Sequence, residues 1–486
     1  MAHQTPNRAL SRLSLLLGIA LAALPLPVFC QVVPPAPTSL PTPLTLSAAI
    51  AIALRQQPLQ YIAHAQITQA LGQKQQAQSQ YFPTLTPTYQ FESNRQDYYG
   101  ISSGSSSQTT GTTTGTTTTG GTGSSGTGTN FNNPSSEVTI VQGGGLSLSL
   151  SQNLYDGGKR EATNAEARRA VDAARDNDFN TRQNTVLTVE QDYYQLLLNL
   201  DLVKVAQAQI TRYQQTVDVT QAQIDAGTTA AVNIYQAKSD LANAQVTLLQ
   251  DQNQVQTASA MLKNALGVST TATVQPAPLA AENQLPPVPS GGTPQTLEAV
   301  LAVAYANRPD LRQQQAIVAS QNAALQEARR EAGLTISSDY VLTYQATNDN
   351  GARGTDSQLL VTGSYPLFDA GNARGAVRIA ESQRDVAQNQ LEQTRQQIQL
   401  DVEQYYSTRA TNLQAASLAQ AAVTAGQKNY DATVAEREEG IGTVLDITTA
   451  QATLTQAQDQ YVTAIYNFYI ADAELQRAIG RNDAGL

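Results

Sequence analysis

The chain is written twice. Leu154-Tyr155-Asp156-Gly157-Gly158 recurs as Leu367-Phe368-Asp369-Ala370-Gly371, 213 positions later, and that displacement then holds without a gap. Thr181-Arg182-Gln183 returns as Thr394-Arg395-Gln396, Val189-Glu190-Gln191 as Val402-Glu403-Gln404, Gly227 as Gly440 and Gly267 as Gly480. Helices of one fixed length explain this, because an inserted residue would turn every later side chain off its packing face. Upstream the displacement becomes 251: Thr45-Leu46 with Pro58 matches Thr296-Leu297 with Pro309. The difference is an insertion at Gly100 to Asn130, which is nearly all Gly, Ser and Thr. Such a composition buries no core and predicts a flexible loop, opposite only Asn348 to Asp356 in the second copy. One loop varies freely while its flanks keep register, as expected of a tip facing bulk solvent.

Within each copy the hydrophobic period changes type. Residues 44–80 read as helix; Leu85, Pro87, Tyr89 and Phe91 then alternate with Thr84, Thr86, Thr88 and Gln90. After the loop, Leu146, Leu148 and Leu150 alternate with Ser147, Ser149 and Ser151. In the second copy Leu334, Ile336, Tyr340, Leu342 and Tyr344 share one face, as do Leu359, Val361, Tyr365 and Leu367. Each run is about the ten residues that a tilted membrane strand needs.

Helix returns after each strand pair. No proline interrupts 158–225, where Val189, Leu196, Val203, Ile210, Val217 and Ile224 recur every seven residues. Val186, Tyr193 and Leu200 form a neighbouring seam that continues as Gln207, Gln214 and Gln221, so the pattern is coiled-coil packing with one seam turning polar. A helix of this length would span about 100 Å. Ala226-Gly227-Thr228 breaks it, and a shorter helix runs from 229 to 266. Helices 44–80 and 229–266, stacked end to end, nearly match the long one.

Composition excludes several functions. The formal charge is −10 with no basic run, which argues against nucleic acid. The first thirty residues read as a secretion signal: Arg8 and Arg12 precede the apolar stretch Leu13 to Val28. Val28 and Cys30 suit cleavage before Gln31; lipidation of Cys30 is the alternative, disfavoured by bulky Phe29 before it. The mature chain would then hold no Cys and a single His, His64, which reads as a solvated helical residue because nothing is available to join it as a ligand. No phosphate-binding glycine loop lies between a strand and a helix. The inventory therefore predicts no enzyme, no cofactor and no metal site. With no other run apolar enough for a membrane helix, a membrane-spanning form must use strands.

Four strands close no barrel, and an open sheet in lipid would leave edge N–H and C=O groups unpaired. Oligomerisation is required, and three copies in a ring would supply twelve strands. The signal, the two helix–strand–strand–long helix–helix copies and the turns Ala226-Gly227-Thr228 and Gly440-Ile441-Gly442-Thr443 resemble the TolC family of outer-membrane efflux proteins. The resemblance runs from about Leu44 to Gly480. It implies a mostly α fold with membrane β: a homotrimer whose twelve-stranded β-barrel crosses the outer membrane and continues as a helical barrel in the periplasm. It further implies a passive duct serving an inner-membrane pump through a periplasmic adaptor protein, in efflux or type I secretion. The implied division is signal 1–30, Pro-rich tether 31–43, first repeat 44–267 with strands about 83–97 and 138–155, and linker 268–295. The second repeat is 296–480 with strands about 334–346 and 357–369, and a tail follows at 481–486. By resemblance the linker and chain ends form a thin belt around the helical barrel.

The resemblance also nominates residues. Gly440-Ile441-Gly442-Thr443-Val444-Leu445-Asp446 resembles the family's tip turn followed by a pore-lining aspartate, which puts Asp446 at the periplasmic constriction. Thr449 stands where better-known members have a second aspartate, and Asn233 holds the matching place in the first copy, so the constriction would be less acidic. The turns at Gly227-Thr228 and Gly440 to Thr443 would contact the adaptor. A plainer reading makes Asp446 a helix-start carboxylate favoured by the dipole, and the glycines simple turn formers. A different class of function, an exported structural or adhesive coiled-coil protein, would keep the heptads without needing the strand pairs.

Overall fold

The computed structural model describes residues 41–98, 137–280, 284–290, 296–347, 353–439 and 441–481. The expected signal with Cys30, most of the tether, the Gly/Ser/Thr loop, Gly440, parts of the linker and of the short second loop, and nearly all the tail lie outside them. The first copy comprises α1 (Leu46–Gln56), α2 (Pro58–Ser79), β1 (Thr84–Tyr98), β2 (Glu137–Tyr155), α3 (Lys159–Asp225) and α4 (Asn233–Leu266). The second comprises α5 (Leu297–Asn307), α6 (Pro309–Arg330), β3 (Thr335–Thr347), β4 (Arg353–Ser364), α7 (Asn372–Glu438) and α8 (Val444–Ala478). Two compact bodies result: the described parts of Met1–Thr68, Ala174–Gln313 and Glu392–Leu486, and those of Gln69–Ala173 and Gln314–Leu391.

The second body holds one antiparallel sheet in the order β1-β2-β3-β4. Thr84 opposes Ser151 in β1–β2, and Thr335 opposes Ser364 in β3–β4, so the two hairpins share one register. Leu85, Pro87 and Tyr89 face Leu150, Leu148 and Leu146, which in turn face Tyr340, Leu342 and Tyr344. One sheet face is therefore an apolar stripe. The other carries hydroxyls that bond back to the ladder, as Ser147 and Ser149 do to the Thr88 and Thr86 carbonyls. Both copies leave the sheet through the same aspartate turn. Asp156 accepts from the Gly158 and Arg160 amides, and Asp369 accepts from the Gly371 and Ala373 amides. Only the first is locked further, by the Arg160 guanidinium donating to the Asn153 and Leu154 carbonyls. The fourth strand stops at Ser364, short of the expected 369: its partner β3 begins at Thr335, opposite Ser364, and among the described residues no strand lies along its outer edge.

The first body is helical. Thr45 and Thr296 each cap a helix by accepting from the amide three residues on, and each helix ends just ahead of Pro58 or Pro309. Gly267 and Gly480 end α4 and α8 in the left-handed region, at φ +69° and +71°. A Cβ on either would lie 2.9 Å from the carbonyl carbon of Gln56 or of Asn307. The close approach of helix ends, as much as the turn, requires glycine there. Around Gly267 the core gathers Leu44, Ile50, Val189, Leu196, Leu262 and Leu266, with Val462 and Tyr466 from α8. Of the predicted α3 seam, Val189, Leu196 and Val217 are buried, while Val203, Ile210 and Ile224 are half-buried and Gln207, Gln214 and Gln221 exposed. Tyrosines fasten the irregular chain to this frame: Tyr193 donates to the Leu44 and Ala277 carbonyls, and Tyr461 to that of Pro286.

Candidate functional site: the tip turns and the start of α8

At the second-copy turn, Glu436 O accepts from both Ile441 N (2.9 Å) and Gly442 N (3.1 Å), which closes the end of α7. A Cβ on Gly442 would come within 3.1 Å of Arg437 N, so the chain doubles back tightly. Thr443 and Asp446 then form a reciprocal capping box. Asp446 N donates to Thr443 Oγ1 at 3.2 Å, and Thr443 N donates to Asp446 Oδ2 at 2.9 Å. The Thr443 hydroxyl also donates to that carboxylate at 2.6 Å. These hydrogen bonds, the hydroxyl's first and the backbone's second, hold Asp446 below the usual carboxylate range. Asp446 is thus a charged, exposed group fixed in place by its own cap. Thr449 lies exposed one turn further along α8.

The first-copy turn uses other means. Gly227 takes φ +74° in open space, and Thr228 bonds through both its amide and its hydroxyl to Gln223 O. Asn233 begins α4 and donates to Thr229 Oγ1 at 3.0 Å; the helix has no side-chain cap, because Val232 stands at its start. Ala230 occupies the place of Thr443, so the box cannot form.

A buried polar layer, which periodicity did not reveal, ties α3 to α7 and α8 near these turns. Arg437 donates to Thr220 Oγ1 (2.9 Å) and Gln223 Oε1 (3.0 Å), and burial pushes its guanidinium down from the ordinary value. Gln451, almost wholly buried, donates to Thr216 Oγ1 at 2.9 Å. Arg212 reaches Thr455 Oγ1 and Gln458 Oε1. The signal available was Thr216 and Thr220 one turn apart beside the Val217 seam, and neither residue type announces burial. The layer joins α3 to α7 and α8 through neutral oxygens that accept from two guanidiniums and one neutral amide, at the end of the body that carries both turns.

Nothing in this arrangement pairs a nucleophile with a base. His64 is exposed, Tyr194 stacks on Tyr469 at 5.2 Å, and among the described residues no group of His, Cys, Asp and Glu could hold a metal ion. No described helix is long and apolar enough to cross a membrane. Comparison with known families decides the matter. The family model described as "Outer membrane efflux protein" matches residues 50–268 and 300–481, one match per copy. The chain belongs to the outer membrane efflux protein family. It is 26% identical over 350 residues to outer membrane efflux protein BepC of Brucella suis, covering 70% of this chain and 73% of that one. It is also 26% identical over 333 residues to cobalt-zinc-cadmium resistance protein CzcC of Cupriavidus metallidurans, covering 67% and 74%. In fold it resembles a membrane protein from Pseudomonas aeruginosa, with a TM-score of 0.72 at 18% identity over 90% of this chain and 93% of that one. This efflux-family chain is accordingly a transport channel of the outer membrane and not an enzyme, and its helices lie on the periplasmic side.

Proposed function

We propose that three copies of this efflux-family chain close their sheets into one twelve-stranded barrel in the outer membrane lipid and continue it as a duct through the periplasm. The chain serves as the exit channel of a tripartite efflux or type I secretion assembly, with an inner-membrane pump as the source of cargo. The observation that carries this reading is the sheet: an antiparallel array with two unpaired outer strands and exposed Leu85, Tyr89, Phe91, Leu359 and Val361. Unpaired edge groups are costlier in lipid than in water, whereas an exposed apolar face is costly in water and favoured in lipid; closing the ring removes the first cost and seating the barrel in the membrane removes the second. In this reading the first thirty residues are a cleaved signal. Asp446 and Thr449, with Asn233 of the first copy, line the periplasmic constriction, where three fixed aspartates would favour cations. The turns at Gly227-Thr228 and Gly440 to Thr443 receive a periplasmic adaptor protein.

The test is extraction of the mature protein from outer membranes in mild detergent, followed by mass measurement and planar-bilayer recording. A trimer with mostly helical circular dichroism and steady channels is the expected result. A monomer or dimer that stays soluble without detergent would sink the reading and favour a structural coiled coil of the envelope.

A further inference from the structure

The duplication specifies how the free strand edges meet. In the chain, β2 leaves the first copy and β3 enters the second, so their pairing is already a case of one copy's exit strand lying against the next copy's entry strand. Its register sets Ser149 opposite Val341, Leu148 opposite Leu342 and Ser151 opposite Asp339. The outer strands β4 and β1 are the corresponding exit and entry strands, displaced by 213 and 251 positions. These displacements are structural as well as sequential, because they carry the Thr84–Ser151 pair onto Thr335–Ser364.

We infer that β4 of one copy pairs antiparallel with β1 of the next, with Thr362 opposite Gln90, Val361 opposite Phe91 and Ser364 opposite Thr88. This rests on the trimeric reading above and adds the residues that meet. Two observations support the register beyond the repeat itself. In it, exposed Val361 and Phe91 fall on the apolar face together, while Thr362, Gln90, Ser364 and Thr88 share the polar face. A slip of one residue would set apolar against polar along the whole edge.

The second observation is where β4 ends. Its equivalent, β2, runs on to Tyr155 because Ser338 to Ile336 lie beside it. β4 stops at Ser364, leaving Leu367 and Phe368 92% and 88% exposed, against 53% and 50% for the equivalent Leu154 and Tyr155. The derived register brings Leu85 of the next copy opposite Phe368, and Leu85 is itself exposed. A second copy therefore covers these side chains and extends the strand. The same chain cannot do so, since four strands are too few to close on themselves.

Cysteine cross-linking of the full chain in outer membranes tests the register, with mass in detergent measured in parallel. Opposed residues on antiparallel strands lie about 4.5–5.5 Å apart at Cα, within disulfide reach. A displacement of two residues adds about 6.8 Å along the strand and gives about 8 Å, beyond that reach. Thr362→Cys with Gln90→Cys, and Ser364→Cys with Thr88→Cys, should oxidise to covalent dimers and trimers. The displaced pairs, Thr362→Cys with Thr88→Cys and Ser364→Cys with Gln90→Cys, should remain single chains on denaturing gels. The unsubstituted chain, whose one cysteine is Cys30, sets the background. Cross-links from the displaced pairs in place of the opposed ones would overturn the register. Intact trimers that link through neither set would overturn the β4–β1 contact. A monomeric mass would instead bring down the trimeric reading beneath both. Two opposed pairs are used so that loss of folding in one leaves the other to decide.

Discussion

Gly227 and Gly267 share a backbone conformation and differ in what surrounds them, so alanine at each separates two costs. Both have φ near +70°: +74° and +69°. An L residue there costs roughly 1–2 kcal/mol, partly offset by about 0.4–1 kcal/mol from the restricted unfolded chain. Around Gly227 a new Cβ meets nothing within 4 Å, so Gly227→Ala should lose only about 1 kcal/mol. Around Gly267 it would meet Gln56 C and O at 2.9 Å and Gln57 N at 3.1 Å, all backbone. Carbon contacts are comfortable near ~3.5 Å, so the ends of α1 and α4 would have to part by about half an ångström. That part of the core holds fully buried Leu262 and Leu266, and Gln57 Nε2 donates across the same junction to Ala265 O. Overpacking of this kind costs typically about 1–3 kcal/mol more. Gly267→Ala should therefore lose roughly 2–4 kcal/mol, and Gly480→Ala, against Asn307 and Arg308, about the same. At about 2 °C per kcal/mol, thermal scans by far-ultraviolet circular dichroism of the detergent-extracted protein should show a drop of several degrees for both, and less than half of it for Gly227→Ala. Equal shifts at all three positions would refute the reasoning, since only the shared φ would then matter.

Two further substitutions follow from the charges. Asp446→Asn should reduce cation preference in planar bilayers while Thr443→Ala, which removes only the cap and about 1 kcal/mol of local stability, leaves selectivity unchanged; equal selectivity in both variants would return Asp446 to a purely structural role. Burial first, and the negative charge of Asp251 second, push Asp459 up to about 6. An aspartate raised in the folded state destabilises it when ionised, so stability should be gained as pH falls through about 6 and be fully present near the ordinary aspartate value of ~4. Asp459→Asn should flatten the dependence of the melting temperature on pH in that window; an unaltered slope would show that Asp459 is not its source.

What the sequence made legible was whatever repeats with a period. The alternation at Leu85 to Phe91 and Leu146 to Leu150 located strands, because a side chain every second residue must face one way. The ungapped displacement of 213 announced long helices for a similar reason. Single contacts between elements remote in sequence left no such trace. Thr220 accepting from Arg437, or Gln451 buried against Thr216, joins helices more than 200 residues apart through side chains that are usually solvated. The pairing of β2 with β3 is the same kind of fact: alternation gives each strand its faces but says nothing of its neighbour. At the candidate site, Asp446 was found from its motif, and its capping box was implicit in Thr443 three residues earlier.

Comparison of the copies shows what the duplication has held fixed. Thr45 and Thr296 cap alike, Asp156 and Asp369 turn alike, and Gly267 and Gly480 seat alike on the preceding helix ends. Each of these fixes where the backbone goes. Charge has been free to change. Arg160 corresponds to Ala373, Asp446 to Asn233 and Arg308 to Gln57. Arg308 anchors Asp310 and Asp401 at 2.6 and 2.9 Å, where the first copy has Leu59 and Thr188. Burial alone would raise Asp310, but the hydrogen bonds and charge of Arg308 outweigh it and hold the carboxyl low. In a trimer, six repeats would thus follow one backbone pattern and present two alternating sets of charges. Any partner that reads the shared aspartate turns would find six equivalent places, whereas one that reads charge, or the tip turns that the two copies close differently, would find three.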